Sequence, residues 1–110
     1  MGTDYQTFRA SVNMSKAFRQ FQKADNALSD GNSDSAVNHL ADGLDYFQKS
    51  MDHLGQAADD NLNDAYNQID KGNQELQKSI DAYSDGNDDR ASNHYSKALD
   101  HYDEALDLLI

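Results

Sequence analysis

The sequence predicts an all-α fold: an antiparallel up-down-up-down four-helix bundle built from two tandem αα-hairpins. Residues 21–54 align without a gap on residues 76–109, with 15 of 34 positions identical, so the 110-residue chain is a 55-residue unit written twice. A unit of this size cannot bury its apolar face alone, and two copies must pack on each other. Apolar residues recur at alternating spacings of three and four, the period of a bundle helix rather than a strand. The chain has no Pro, and Ser29-Asp30-Gly31-Asn32 and Ser84-Asp85-Gly86-Asn87 interrupt the pattern at equivalent places.

The first helix carries Met14, Phe18 or Ala17, Phe21 and Leu28, with Tyr5, Phe8 and Val12 ahead of them as a looser extension of its seam. It ends where Gly31 offers the left-handed conformation, and Asn32 or its neighbours cap the next helix. The second helix has the seam Val37, Leu40, Leu44, Phe47, Met51 and Leu54. The middle connection is expected within Gly55–Asp60, with Asp59 or Asp60 as cap. The third helix repeats the pattern with Leu62, Tyr66, Ile69, Asn73, Leu76, Ile80 and Tyr83. Asn73 is a lone polar residue on that seam, the type of substitution that fixes register. After the second Gly turn, the fourth helix brings Tyr95, Leu99, Tyr102, Leu106 and Leu109. Beside every seam runs a stripe of small residues seven apart: Ala10, Ala17, Ala24; Ala36, Gly43, Ser50; Ala65, Gly72, Ser79; Ala91, Ala98, Ala105. Such stripes let antiparallel helices approach closely and leave little room for a central cofactor. Residues 1–110 read as one four-helix domain, repeat one covering 1–55 and repeat two 56–110.

Composition narrows the function classes. The net charge of −11 opposes nucleic acid and anionic membranes, whose binding needs clustered Lys and Arg. The acids are 18 Asp and only 2 Glu, and an acidic surface favours cations. With no Cys, thiolate metal sites and disulfides are excluded. No run approaches the ~20 apolar residues of a membrane span, so a soluble chain is expected, without membrane insertion. The compartment is open; for an exported protein the signal would already have been removed.

Asp30-Gly31-Asn32-Ser33-Asp34 and Asp85-Gly86-Asn87-Asp88-Asp89 start like calcium loops. However, the sixth position holds Ser35 or Arg90 instead of Gly, and the twelfth Ala41 or Ser96 instead of Glu, so helix capping accounts for them. Neither Glu75 nor Glu104 has a His three residues on, as a di-iron bundle requires. Zinc-protease, phosphate-loop and nucleophile-elbow motifs are lacking, and the chain is read as non-enzymatic.

The four histidines are the transition-metal candidates. His39 and His94 are repeat equivalents, His101 follows His94 by seven, and His53 lies at twice that spacing from His39. Seven residues span ~10 Å of helix, too far for one ion, so the ligands available on the same helix are neighbours at three or four. These are Asp42 for His39 and Glu104 for His101. The candidate metal set is therefore His39, His94, His101, Asp42 and Glu104, for a divalent ion such as Cu or Ni bound weakly.

Asn38-His39-Leu40-Ala41-Asp42-Gly43-Leu44-Asp45-Tyr46 and Asn93-His94-Tyr95-Ser96-Lys97-Ala98-Leu99-Asp100-His101 resemble the recurring unit of the small metal-binding proteins, His-rich exported bacterial four-helix proteins. The resemblance covers the second and fourth helices with their preceding turns. It implies copper, nickel or similar divalent ions, with His39, His94 and His101 at ligand positions and Tyr46 at the place of a further one. Gly86, Ala91, Tyr95, Ala98 and Leu99 are also similar in spacing to a tetratricopeptide hairpin, a protein-recognition module, although the period here is 55 rather than 34. That similarity implies the alternative: a helical protein-interaction module or homodimer without metal function, binding through exposed tyrosines such as Tyr46 or Tyr95.

Overall fold

In the computed structural model, which describes residues 2–57 and 62–109, the chain forms four helices and, among the described residues, no strand: α1 (Gly2–Ser29), α2 (Ser33–Gln56), α3 (Asn63–Ser84) and α4 (Asp88–Leu109). The helices pack as two tight antiparallel hairpins, α1 with α2 and α3 with α4, laid against each other in a bundle about 45 Å long. The predicted four-helix bundle of two hairpins is the observed fold.

Both turns follow the same chemistry. Gly31 and Gly86 have φ of 75° and 80°, values that a side chain resists. Asn32 N–H donates to Ala27 O at 2.8 Å and Gly31 N–H to Leu28 O at 3.1 Å; Asn87 to Ala82 O and Gly86 to Tyr83 O repeat this pair at 2.8 and 3.1 Å. The two bonds satisfy carbonyls that the helix end would otherwise leave open. Asn32 Oδ1 then accepts from Ser35 N–H, and Asn87 Oδ1 from Arg90 N–H, so one Asn ends one helix and starts the next. The middle connection differs from expectation. Gly55 lies inside α2, which runs to Gln56, and Leu62 precedes α3 without a side-chain cap. Asp59 and Asp60, the expected caps, lie outside the described residues.

The small-residue stripes face each other within each hairpin. Ser50 Oγ donates to Ala10 O across α1–α2 at 2.9 Å, and Ser79 Oγ to Ala91 O across α3–α4 at 2.8 Å. The same register places Ala17 opposite Gly43 and Ala24 opposite Ala36 in one hairpin, and Ala65 opposite Ala105 and Gly72 opposite Ala98 in the other. The close approach leaves space above the glycines for rings. A Cβ on Gly43 would overlap the Phe21 ring, and one on Gly72 would meet the Tyr102 ring.

Those rings join the hairpins. Phe47 and Tyr102 stack at 3.6 Å between centroids, and Phe21 lies against Phe47, Tyr95 and Tyr102 at 5.7–5.8 Å. Tyr102 is fully buried, and its hydroxyl donates to Asn73 Oδ1 at 2.7 Å while Asn73 Nδ2 contacts Met51 Sδ at 3.1 Å. All four helices thus meet at one aromatic and amide cluster, and Asn73 has the structural role that its seam position predicts.

The start of α1 corrects the sequence reading. Tyr5 and Phe8 are 58% and 63% exposed, and Val12 is half-buried, whereas Ala10, Met14 and Ala17 are buried. The trio keeps helical spacing among its own members but is two residues out of phase with the core seam. That offset turns it to the opposite side of the helix.

Candidate functional site

Every histidine lies on the second helix of a hairpin and binds through Nδ1 to a side chain of the first. His39 pairs with Gln20 Oε1 at 2.8 Å and His53 with Gln6 Oε1 at 2.7 Å across α1–α2. His94 pairs with Glu75 Oε2 at 2.6 Å and His101 with Gln68 Oε1 at 2.9 Å across α3–α4. The heptad spacing of the histidines is matched by heptad spacing of their acceptors, Gln6 and Gln20 in one hairpin and Gln68 and Glu75 in the other. Each member of these pairs lies three residues after a small-residue stripe position or four before one, in the neighbouring column of the helix. The backbones approach there closely enough for two polar side chains to meet over them.

The candidate metal residues are therefore distributed, not convergent. His39 belongs to the α1–α2 seam, and His94 and His101 belong to the α3–α4 seam, a heptad apart. Asp42 and Glu104 are exposed on the helices of His39 and His101. Among the described residues no group of three or more His, Cys, Asp or Glu converges as a metal site. The partners come from the first helix of each hairpin, which spacing along the histidine helix does not reach. Glu75 is the one carboxylate among them, and its repeat relation to Gln20 is the signal that pairs it with His94.

Glu75 is the electrostatic centre of that seam. Its carboxyl is held below the usual range, first by the hydrogen bond from His94 and then by the nearby Lys78, with burial working the other way. Lys78 Nζ approaches it at 3.7 Å. An open groove of about 510 Å³ beside it is lined by Lys78, Asp81, Asp85, Arg90 and His94. A second groove of about 560 Å³, between α2 and α3, is floored by Leu44, Met51 and Asn73 and rimmed by Tyr66, Asp52 and Asp70.

Tyr95 is not the exposed contact residue expected of it. It is 8% exposed and packs edge-on against Phe21. Its hydroxyl is buried without a hydrogen-bond partner, the Asp25 carboxylate lying near it but outside hydrogen-bonding geometry. Burial first, and the Asp25 charge second, push its ionisation above the ordinary phenol range. Tyr46 is half-buried, with Lys49 and Lys16 ammonium groups 5.1 and 5.9 Å from its ring.

The exposed surface is more ordered by charge than the sequence spacing shows. α1 contains Arg9, Lys16, Arg19 and Lys23 against Asp4 and Asp25, a net +2; the other 82 residues hold five cations and eighteen acids, a net −13. Lys16, Arg19 and Lys23 are exposed beside Phe8 and Tyr5. On α4, Asp100, Asp103, Glu104 and Asp107 are all exposed, with no Lys or Arg among residues 100–109. Among the described residues, ion pairs form only at Glu75, and neither set of charges has an ion-pair partner there. No described helix is long and apolar enough to cross a membrane. No protein-family model, curated protein or solved structure matches the chain.

Proposed function

We propose that this protein is a non-enzymatic helical interaction module whose binding surface is the outer face of α1. The observation that carries this reading is the second face of α1: one side supplies the core through Ala10, Met14, Ala17 and Phe21, and the other presents Tyr5 and Phe8 with Lys16, Arg19 and Lys23 to solvent. Exposed aromatics beside cations that lack an ion-pair partner among the described residues are the composition of protein-binding hot spots. The test is lysine cross-linking of the full-length protein in extract of the cells that produce it, with the sites mapped by mass. Intermolecular links should start at Lys16 and Lys23, not at Lys71, Lys78 or Lys97, and should vanish in a Phe8→Asp, Arg19→Glu variant. Links spread evenly over the lysines would refute the reading.

The histidine seams favour a second reading, weak binding of Cu(II) or Ni(II). With Nδ1 of each ring held by an amide or carboxylate, Nε2 is the nitrogen left to a metal, and such a partner orients a ligating imidazole. His39 with Asp42, His101 with Glu104, and His94 are then separate one- or two-ligand sites, with affinity roughly micromolar or weaker. Calorimetric titration of the protein and of a variant with all four His changed to Gln tests it. Saturable binding lost in the variant supports the reading; equal binding in both assigns the heat to the Asp-rich surface.

A further inference from the structure

We infer that the partner of the α1 outer face is a second copy of this chain, docked through the acidic outer face of its α4; this rests on the interaction reading above. The two ridges are complementary in charge. α1 offers Arg9, Lys16, Arg19 and Lys23, and α4 offers Asp100, Asp103, Glu104 and Asp107, with ion-pair partners for none of the eight among the described residues. Both also carry apolar groups, Tyr5 and Phe8 on α1 and the 43% exposed Leu108 on α4.

Their levels along the bundle also match. Phe21 of α1 touches Tyr95 and Tyr102 of the antiparallel α4, so the segment 9–19 of α1 lies level with the segment 100–109 of α4. A two-fold axis parallel to the bundle axis keeps that level and sets each α1 against the partner's α4, making the contact twice. A two-fold axis perpendicular to the bundle would instead oppose α1 to α1 and α4 to α4, like charge to like. The charge pattern thus selects one symmetric dimer, closed so that no filament grows.

An anionic membrane is a poorer occupant, because the remaining net charge of −13 would be brought to a surface of the same sign. For two copies the overall repulsion is long-range and the ridge contacts short-range. At ~0.15 M salt the Debye length of ~8 Å screens the first more than the second. The charge-matched segments span ~15 Å each, so the two symmetric contacts together fall below the ~1,200 Å² of standard interfaces, which predicts a weak, reversible dimer.

The experiment is sedimentation equilibrium of the full chain across micromolar concentrations, with Lys16→Glu/Arg19→Glu and Asp100→Lys/Asp103→Lys variants alone and mixed. The wild type should pass from 12.3 kDa to twice that mass as concentration rises at ~0.15 M salt, and return to monomer at ~1 M, where screening is ~3 Å. Each variant alone should stay monomeric, and the equimolar mixture should recover the doubled mass, which a folding defect in either would prevent. A wild type that stays monomeric, a variant that still self-associates, or a mixture that does not pair would overturn the proposal. If the wild type is monomeric while Lys16 and Lys23 still cross-link to another protein, only the identity of the partner fails. Co-sedimentation of monomeric protein with phosphatidylserine-containing vesicles would likewise reject the second copy and assign the ridge to lipid.

Discussion

The Tyr102 hydroxyl donates a 2.7 Å hydrogen bond to Asn73 Oδ1 in the buried joint between the two hairpins. The Tyr102 hydroxyl is fully buried and has no water as an alternative, so removing its acceptor costs more than removing both groups. Asn73→Leu should destabilise the fold by ~1–3 kcal/mol, because the Tyr102 hydroxyl then has no acceptor. Adding Tyr102→Phe should recover most of that loss, and a urea double-mutant cycle measures the coupling.

Gly43, Gly55 and Gly72, all within helices, separate two opposing effects of a methyl group. Replacing a helical Gly by Ala gains up to ~1 kcal/mol in propensity. At Gly43 and Gly72 the new Cβ collides with the Phe21 and Tyr102 rings, which are locked in the aromatic cluster, so overpacking of ~1–3 kcal/mol wins and both variants melt lower. At exposed Gly55 the nearest atom is Tyr66 Cε2 at 3.8 Å, an ordinary contact. Gly55→Ala should therefore raise the melting temperature, with thermal unfolding by circular dichroism as the readout.

Tyr95 and Tyr102 respond differently to loss of the hydroxyl. Tyr95→Phe removes a buried, unpartnered oxygen and should be neutral or stabilising by up to ~1 kcal/mol, whereas Tyr102→Phe alone breaks a bond. Both phenols ionise above their ordinary range because of burial, so above pH ~10 the unfolded chain releases protons that the native chain keeps. Stability therefore falls as pH rises through that range. The slope should be shallower in either Phe variant, which denaturant midpoints at pH 9 to 11 will test.

Glu75 sets a limb on the acid side. Its folded ionisation is depressed by His94, so its contribution is complete above the ordinary Glu range and is lost as pH falls through the lower, folded value. Glu75→Gln converts this pair to the Gln–His chemistry already present at Gln20 and His39. The variant should lose little at neutral pH, and the difference from wild type should shrink as pH falls from ~4 downward. A difference that grows on acidification would contradict the assignment.

The fold was legible because its determinants are periodic along single helices. The stripe Ala36, Gly43, Ser50 announces a close antiparallel neighbour, and Gly31 and Gly86 mark where the chain reverses. The histidine network was not legible, because its acceptors come from another helix. Gln20 is 19 residues before His39, a distance set by turn length and hairpin register rather than by helix spacing. Tyr5, Phe8 and Val12 were joined to the seam by their apolar character, although their phase already set them apart. The burial of Tyr95 against Phe21 agrees with its place on the seam of the fourth helix and not with the exposed contact of the interaction alternative.

The joint between the hairpins also sets the two halves apart. Asn73 and Tyr102 stand where the first repeat has Phe18 and Phe47. A bundle made from two copies of the first half would face hydrocarbon with hydrocarbon there, and one made from two copies of the second would duplicate the amide and the phenol. Only the mixed pair sets one polar bond among the rings of the other half. The two halves are therefore not interchangeable: the joint needs one of each, and the single chain supplies them in a fixed order.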